Sequence, residues 1–174
     1  MGGEIHVESA PGAGSTFTVI LPLAAGQEPA QTPEGGPRQG TFSLEGLRVL
    51  LAEDNEINME ITTELLRGGG AAVTQAWNGG EAVECFREAA PFSFDVILMD
   101  MQMPVLDGCQ AAEQIRGMDR ADAQSVPIIA VTANAFSEDV AATTAAGMNA
   151  HVSKPIDFAV LRQTLERLLG PRAN

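Results

Sequence analysis

Residues Asp95 to Pro104 read DVILMDMQMP, and this stretch decides the architecture. Val96 to Met99 form an unbroken apolar run, the composition of a strand covered on both faces, and the run ends on a carboxylate, Asp100. Strands covered on both faces belong to parallel sheets, whose ligand sites lie beyond the carboxyl ends of their strands. A charge at that place needs a partner, because an unpaired buried carboxylate is costly.

Outward from this run the chain alternates. LRVLLA (47–52), AAVTQA (71–76), FDVILM (94–99), VPIIAV (126–131) and the short AHV (150–152) read as strands. Apolar residues at helical spacing fill the intervals 55–68, 78–90, 107–118 and 136–147. The last stretch, 157–170, carries Leu161, Leu165, Leu168 and Leu169 on one face and stops at Gly170. Strict alternation of strand and helix predicts right-handed crossovers and an α/β fold with a doubly wound parallel sheet.

Before this region the composition changes twice. Residues 1–23 contain two alternating runs, Glu4 to Ser9 and Thr16 to Leu21, around the turn-rich APGAGS, which predicts a β-hairpin. Two strands are marginal on their own. Residues 24–45 are rich in Pro, Gly, Gln and Glu with little apolar content, and are expected to be a flexible linker. The α/β domain is thus expected over 46–170.

The net charge of −13 argues against nucleic acid or an anionic membrane surface as partner. No apolar run is long enough to span a bilayer and no signal peptide is evident, so a cytoplasmic location is expected. Cys85 and Cys109 lack metal or disulfide spacing, and His6 and His151 are far apart.

The strand ends bring chemistry together. The first strand is followed by Glu53 and Asp54, the third ends in Asp100, the fourth in Thr132, and the fifth leads to Lys154 and Pro155. Two like charges about 4 Å apart repel by about 4 kcal/mol at an effective dielectric of 20, so clustered carboxylates take up protons or hold a cation. Oxygen ligands with positions left open suit Mg²⁺. Lys154 adds a compact cation and Thr132 a hydroxyl donor, both suited to phosphoryl oxygens. Asp100 then reads as a nucleophile that accepts a phosphoryl group.

LLAEDNEINMEI, DVILMDMQMPVLDG, PIIAVTANAF and GMNAHVSKPI resemble the receiver domain of two-component response regulators, with wording close to receivers of hybrid sensor histidine kinases. The resemblance implies a flavodoxin-like (βα)5 fold with strand order 2-1-3-4-5. It implies transfer of a phosphoryl group from a phosphohistidine to Asp100. Mg²⁺ would be held by Asp54, Asp100 and the main-chain carbonyl of Gln102, with Glu53 acting through water. It also implies a switch in which the Thr132 hydroxyl and Lys154 engage the new phosphoryl group while an aromatic side chain three positions before the lysine moves inward. That position is His151, where Tyr or Phe is commoner, and this departure weakens the aromatic half of the coupling. Gln102 and Asn134 occupy the positions that influence phosphoryl lifetime, and the bond before Pro155 is cis in many receivers.

The front segment, GGEIHVESAPGAGSTFTVILPL, is similar to the last glycine-rich box and terminal hairpin of the histidine-kinase ATP-binding domain. The adenine and Mg²⁺ boxes of that domain are missing, so no ATP binding is expected of this segment. The implied partners are a phosphohistidine domain of a kinase and a histidine phosphotransfer domain, and the activity is limited to self-phosphorylation and self-dephosphorylation. Two rivals stand beside this reading. A haloacid-dehalogenase-type phosphatase also uses an aspartyl nucleophile and Mg²⁺, but wants a second Asp where Gln102 stands. A binding-only receiver would not need the full set of Glu53, Asp54, Asp100, Thr132 and Lys154.

Overall fold

In the computed structural model, which describes residues 4–10, 12, 14–20, 42–133 and 137–170, the apolar run after Asp95 is strand β5 (Val96–Asp100), every residue of which is buried. It lies at the centre of a parallel sheet whose other strands are β3 (Arg48–Ala52), β4 (Ala72–Ala76), β6 (Ile128–Thr132) and β7 (Ala150–Ser153), in the order β4-β3-β5-β6-β7. Counting these strands from β3 gives 2-1-3-4-5, the order expected. The chain divides into two units, Met1–Gln39 and Gly40–Asn174, and the sheet belongs to the second.

Alternation along each strand sends side chains to two layers. Leu50, Ile97, Met99 and Ile128 pack with Phe86 of α2 (Gly79–Glu88) and Ile115 of α3 (Gly108–Arg116). Leu51, Leu98, Ile129 and Val131 pack on the other face with Leu66 of α1 (Glu56–Gly68) and Leu165 of α5 (Phe158–Leu169). The fourth helix, α4, spans Ser137–Ala145. Helix starts follow local chemistry: the Asn55, Asn78 and Asp107 side chains each accept a hydrogen bond from the backbone N–H three residues on, satisfying a donor that the helix cannot.

The start of this unit differs from the expectation. Phe42 and Leu44, read as linker, are buried at 4% and 3% exposure in the layer beneath α1 and α5. Two apolar residues in a polar stretch give no periodicity to read. Here they join that buried cluster, and a Cβ on Gly69 would come within 2.7 Å of the Leu44 side chain. The rest of the expected linker, residues 24–41, and Asn134 lie outside the described residues.

Close packing also reaches the rim. A Cβ at Gly108 would lie 2.3 Å from the Asp100 carbonyl oxygen. Gly108→Ala therefore has to move backbone rather than a flexible side chain, and we expect it to lower unfolding free energy by about 1–3 kcal/mol in a urea titration. Unchanged stability would show that the loop relaxes freely.

The first unit is a hairpin of β1 (Glu4–Ala10) and β2 (Gly14–Ile20). Its register pairs Ile5 with Val19 and Val7 with Phe17, which gathers these four apolar side chains on one face. All four are exposed within the hairpin. The positive φ of Gly12 and Gly14, 79° and 88°, lets the chain reverse between the strands.

Candidate functional site

Parallel register carries the predicted residues to one rim. Ala52 pairs with Met99, so Glu53 leaves β3 beside Asp100, the last residue of β5. Asp100 pairs with Val131, which puts Thr132 one step further along. Thr132 pairs with Ser153, and the Lys154 N–H donates to the Thr132 carbonyl at 2.8 Å.

Lys154 joins the cluster. Its Nζ lies 2.7 Å from Glu53 Oε2 and 2.7 Å from Asp100 Oδ2. The other Asp100 oxygen accepts the Gln102 N–H at 3.1 Å. Glu53 Oε1 accepts from Asn58 Nδ2 at 3.1 Å and from the Asn55 N–H at 3.3 Å. Glu53, Asp100 and Thr132 are buried, whereas Asp54 is exposed at the mouth. A cleft of about 210 Å³, lined by Glu53, Asn58, Ile61, Lys154 and Pro155 among others, opens beside them. The peptide between Lys154 and Pro155 is cis. His151 is exposed on the edge strand β7.

Burial pushes the Asp100 carboxyl above its ordinary range, opposed by hydrogen bonds from Lys154 and the Gln102 N–H. For Lys154 burial works against the charge, but the hydrogen bonds to Asp100 and Glu53 outweigh it and raise its proton affinity. Glu53, Asp54 and Asp100 against Lys154 leave a formal excess of two negative charges, which a bound dication would balance.

The donor set fits a hard dication. Glu53, Asp54 and Asp100 each offer a carboxylate oxygen, all within 4.8 Å of one another. Octahedral Mg²⁺ ligands at about 2.1 Å from the ion sit about 3–4 Å apart, so small side-chain adjustments complete the set. Balancing two negative charges is what the site's electrostatics require.

The model of the response regulator receiver domain matches residues 49–166. The chain belongs to this family. The receiver domain of sensor histidine kinase PA1611 from Pseudomonas aeruginosa PAO1, solved with magnesium coordinated in its active site cleft, is 39% identical with a TM-score of 0.65, over 72% of this chain and 98% of that one. A chain in the co-crystal structure of the Saccharomyces cerevisiae histidine phosphotransfer protein Ypd1 with the receiver domain of Ssk1 is 31% identical, TM-score 0.63, over 71% of this chain and 89% of that one. Hybrid signal transduction histidine kinase K of Dictyostelium discoideum is 36% identical over 95% of this chain but only 14% of its own length. Sensor protein TorS of Escherichia coli (strain K12) is 32% identical over 100% of this chain and 18% of its own length. The chain therefore spans less than a fifth of either curated relative.

Sequence reasoning placed the receiver's carboxylates, hydroxyl and lysine but passed over Asn58. Its amide holds the buried Glu53 carboxylate in position. The available signal was electrostatic: a carboxylate entering a helix start needs donors, and an amide within the first turn is the nearest source. The family assignment does not favour the phosphatase alternative, and Gln102 stands where that chemistry needs an acid. Among the described residues no helix is long and apolar enough to cross a membrane.

Proposed function

We propose that Asp100 is the phosphoacceptor of a phosphorelay within a hybrid sensor histidine kinase. One Asp100 carboxylate oxygen attacks phosphorus, a P–O bond forms, and the P–N bond to the donor imidazole breaks, its electron pair staying on nitrogen to take up a proton. Lys154, already bonded to Asp100, is placed to pair with a phosphoryl oxygen, and Thr132 to donate its hydroxyl to another. Mg²⁺, held by Asp54, Asp100 and the Gln102 main-chain carbonyl with Glu53 acting through water, supplies charge neutralisation when bound. The observation that carries this reading is Lys154 Nζ at 2.7 Å from both Glu53 and Asp100, with Asp54 completing the acidic set.

Movement of Thr132 and His151 on phosphorylation would signal the loaded state, and Gln102 and Asn134 would set its lifetime. In this reading the donor is a kinase phosphohistidine domain, the acceptor is a histidine phosphotransfer domain, and the reaction is cytoplasmic; the co-crystal of the phosphotransfer protein Ypd1 with the Ssk1 receiver supports the pairing of these two kinds of domain. Residues 1–23 are read as the terminal hairpin of a kinase ATP-binding domain joined by a linker to the receiver. The similarity to kinase K and TorS supports this, because at 95% and 100% of the chain it extends beyond the receiver.

The test is intact mass after incubation with Mg²⁺ and phosphoramidate. We expect one phosphoryl adduct on the parent and none on Asp100→Asn. Equal labelling of that variant would place the acceptor elsewhere.

A further inference from the structure

Glu53 receives more hydrogen bonds than its burial requires. A carboxylate offers about four acceptor positions, shared equally between its oxygens. Lys154 Nζ takes one on Oε2 at 2.7 Å. Oε1 accepts from two donors, the Asn55 N–H at 3.3 Å and Asn58 Nδ2 at 3.1 Å. With Asn55 and Lys154 alone, each oxygen of this buried residue already has a partner, so the Asn58 amide is not needed to satisfy it. Its effect is to close Oε1. Asp100 is equipped differently: the Gln102 N–H reaches one of its oxygens and Lys154 the other, one donor each.

The turn that starts α1 holds the amide in place. The Asn58 N–H donates to the Asn55 side chain at 3.1 Å, the contact that caps the helix, and the Asn55 N–H donates to Glu53. The cap uses only the backbone of Asn58, which leaves its side chain for Glu53. That side chain is half-buried and lines the cleft beside Ile61, Pro155 and Ile156.

We infer that Asn58 is a positioning residue that decides which dication the acidic set prefers: by closing Glu53 Oε1 it leaves Glu53 a single open position, on Oε2 beside Lys154, and so favours Mg²⁺ over Ca²⁺. This rests on the reading of Asp100 and its ion above. Mg²⁺ demands octahedral geometry and keeps several waters, whereas Ca²⁺ takes about six to eight oxygens and readily uses a carboxylate through both of them. A Glu53 with one open position can accept from a water on the ion but cannot grip the ion with both oxygens. Without the Asn58 amide, Oε1 regains a free position, and a bidentate carboxylate suited to the larger ion becomes available.

The experiment follows the melting temperature of the full chain against MgCl₂ and CaCl₂, because an ion that binds only the folded protein raises it by an amount set by its affinity. Each variant is referred to its own ion-free value, so a general loss of stability cancels. The ratio of Mg²⁺ to Ca²⁺ association constants is expected to fall about tenfold in Asn58→Leu, whose side chain keeps the volume and meets the apolar wall of the cleft. Asn58→Ala removes the same donor without filling the cleft; it should give the same ratio, and it decides the matter if leucine impairs folding. In Glu53→Gln, which takes away the carboxylate, adding Asn58→Leu or Asn58→Ala should change the ratio by less than about twofold. Equal weakening of both ions, a ratio in Asn58→Ala within about twofold of the parent, or a shift that persists in the Glu53→Gln background would overturn the inference and leave the Mg²⁺ set in place. A parent whose melting temperature rises with neither ion overturns the Mg²⁺ reading itself.

Discussion

Replacing Lys154 with Met is expected to slow loading of Asp100 by phosphoramidate about 10²- to 10³-fold. Methionine nearly matches the lysine stem in length but brings no charge to the place where Nζ contacts Glu53 and Asp100 at 2.7 Å. In the ground state that ammonium offsets part of the carboxylate excess. During transfer the same charge is needed by oxygens arriving on phosphorus, so its loss is felt most when negative charge accumulates. Lys154→Arg should recover only part of the rate, because a planar fork cannot replace a point charge between two carboxylates. Rates followed by intact mass at saturating Mg²⁺ separate this effect from weakened ion binding. A Lys154→Met rate within about threefold of the parent would show that the ion alone neutralises the phosphoryl group, and the role given to Lys154 would fail.

The parts of this site that were legible in the sequence are those dictated by periodicity and topology. Val96 to Met99 announce a buried strand, and once the alternation is read, Glu53, Asp100, Thr132 and Lys154 have to share a rim. The parts that escaped are set by tertiary geometry. Phe42 and Leu44 carry no pattern of their own and become core only because α1 ends above them. Asn58 supports Glu53 through a contact that appears only after α1 is wound. The strained backbone at Val105 is equally silent, because valine does not advertise a positive φ as glycine or asparagine does.

Arg120 and Asp122 lie in a stretch, 117–127, with no apolar period at all, and they lead to the second large prediction. Arg120 Nε and Nη2 donate to the two Asp122 oxygens at 2.6 and 2.9 Å. Its remaining N–H groups reach the Phe86, Ala89 and Ala90 carbonyls, which close the end of α2, and the guanidinium lies 4.2 Å from the centroid of the Phe86 ring. Asp122 also accepts the Phe92 N–H at 2.6 Å. With side-chain exposures of 11% and 2%, the two charges depend on each other. Asp122→Ala leaves a nearly buried guanidinium without its anion and should reduce stability by about 3–5 kcal/mol at pH 7.

The pH dependence gives a sharper test. Hydrogen bonding to Arg120 is the main influence holding the Asp122 carboxyl below its ordinary range, and burial only partly opposes it. A folded pKa lower than the unfolded value of about 3.9 makes the carboxylate stabilising above roughly pH 4, and that contribution disappears as pH falls through the folded value. Urea midpoints for the parent and Asp122→Ala should therefore be far apart at pH 7 and converge in acid. A gap that stays constant down to pH values where carboxylates are protonated would assign the loss to packing rather than to the charge pair.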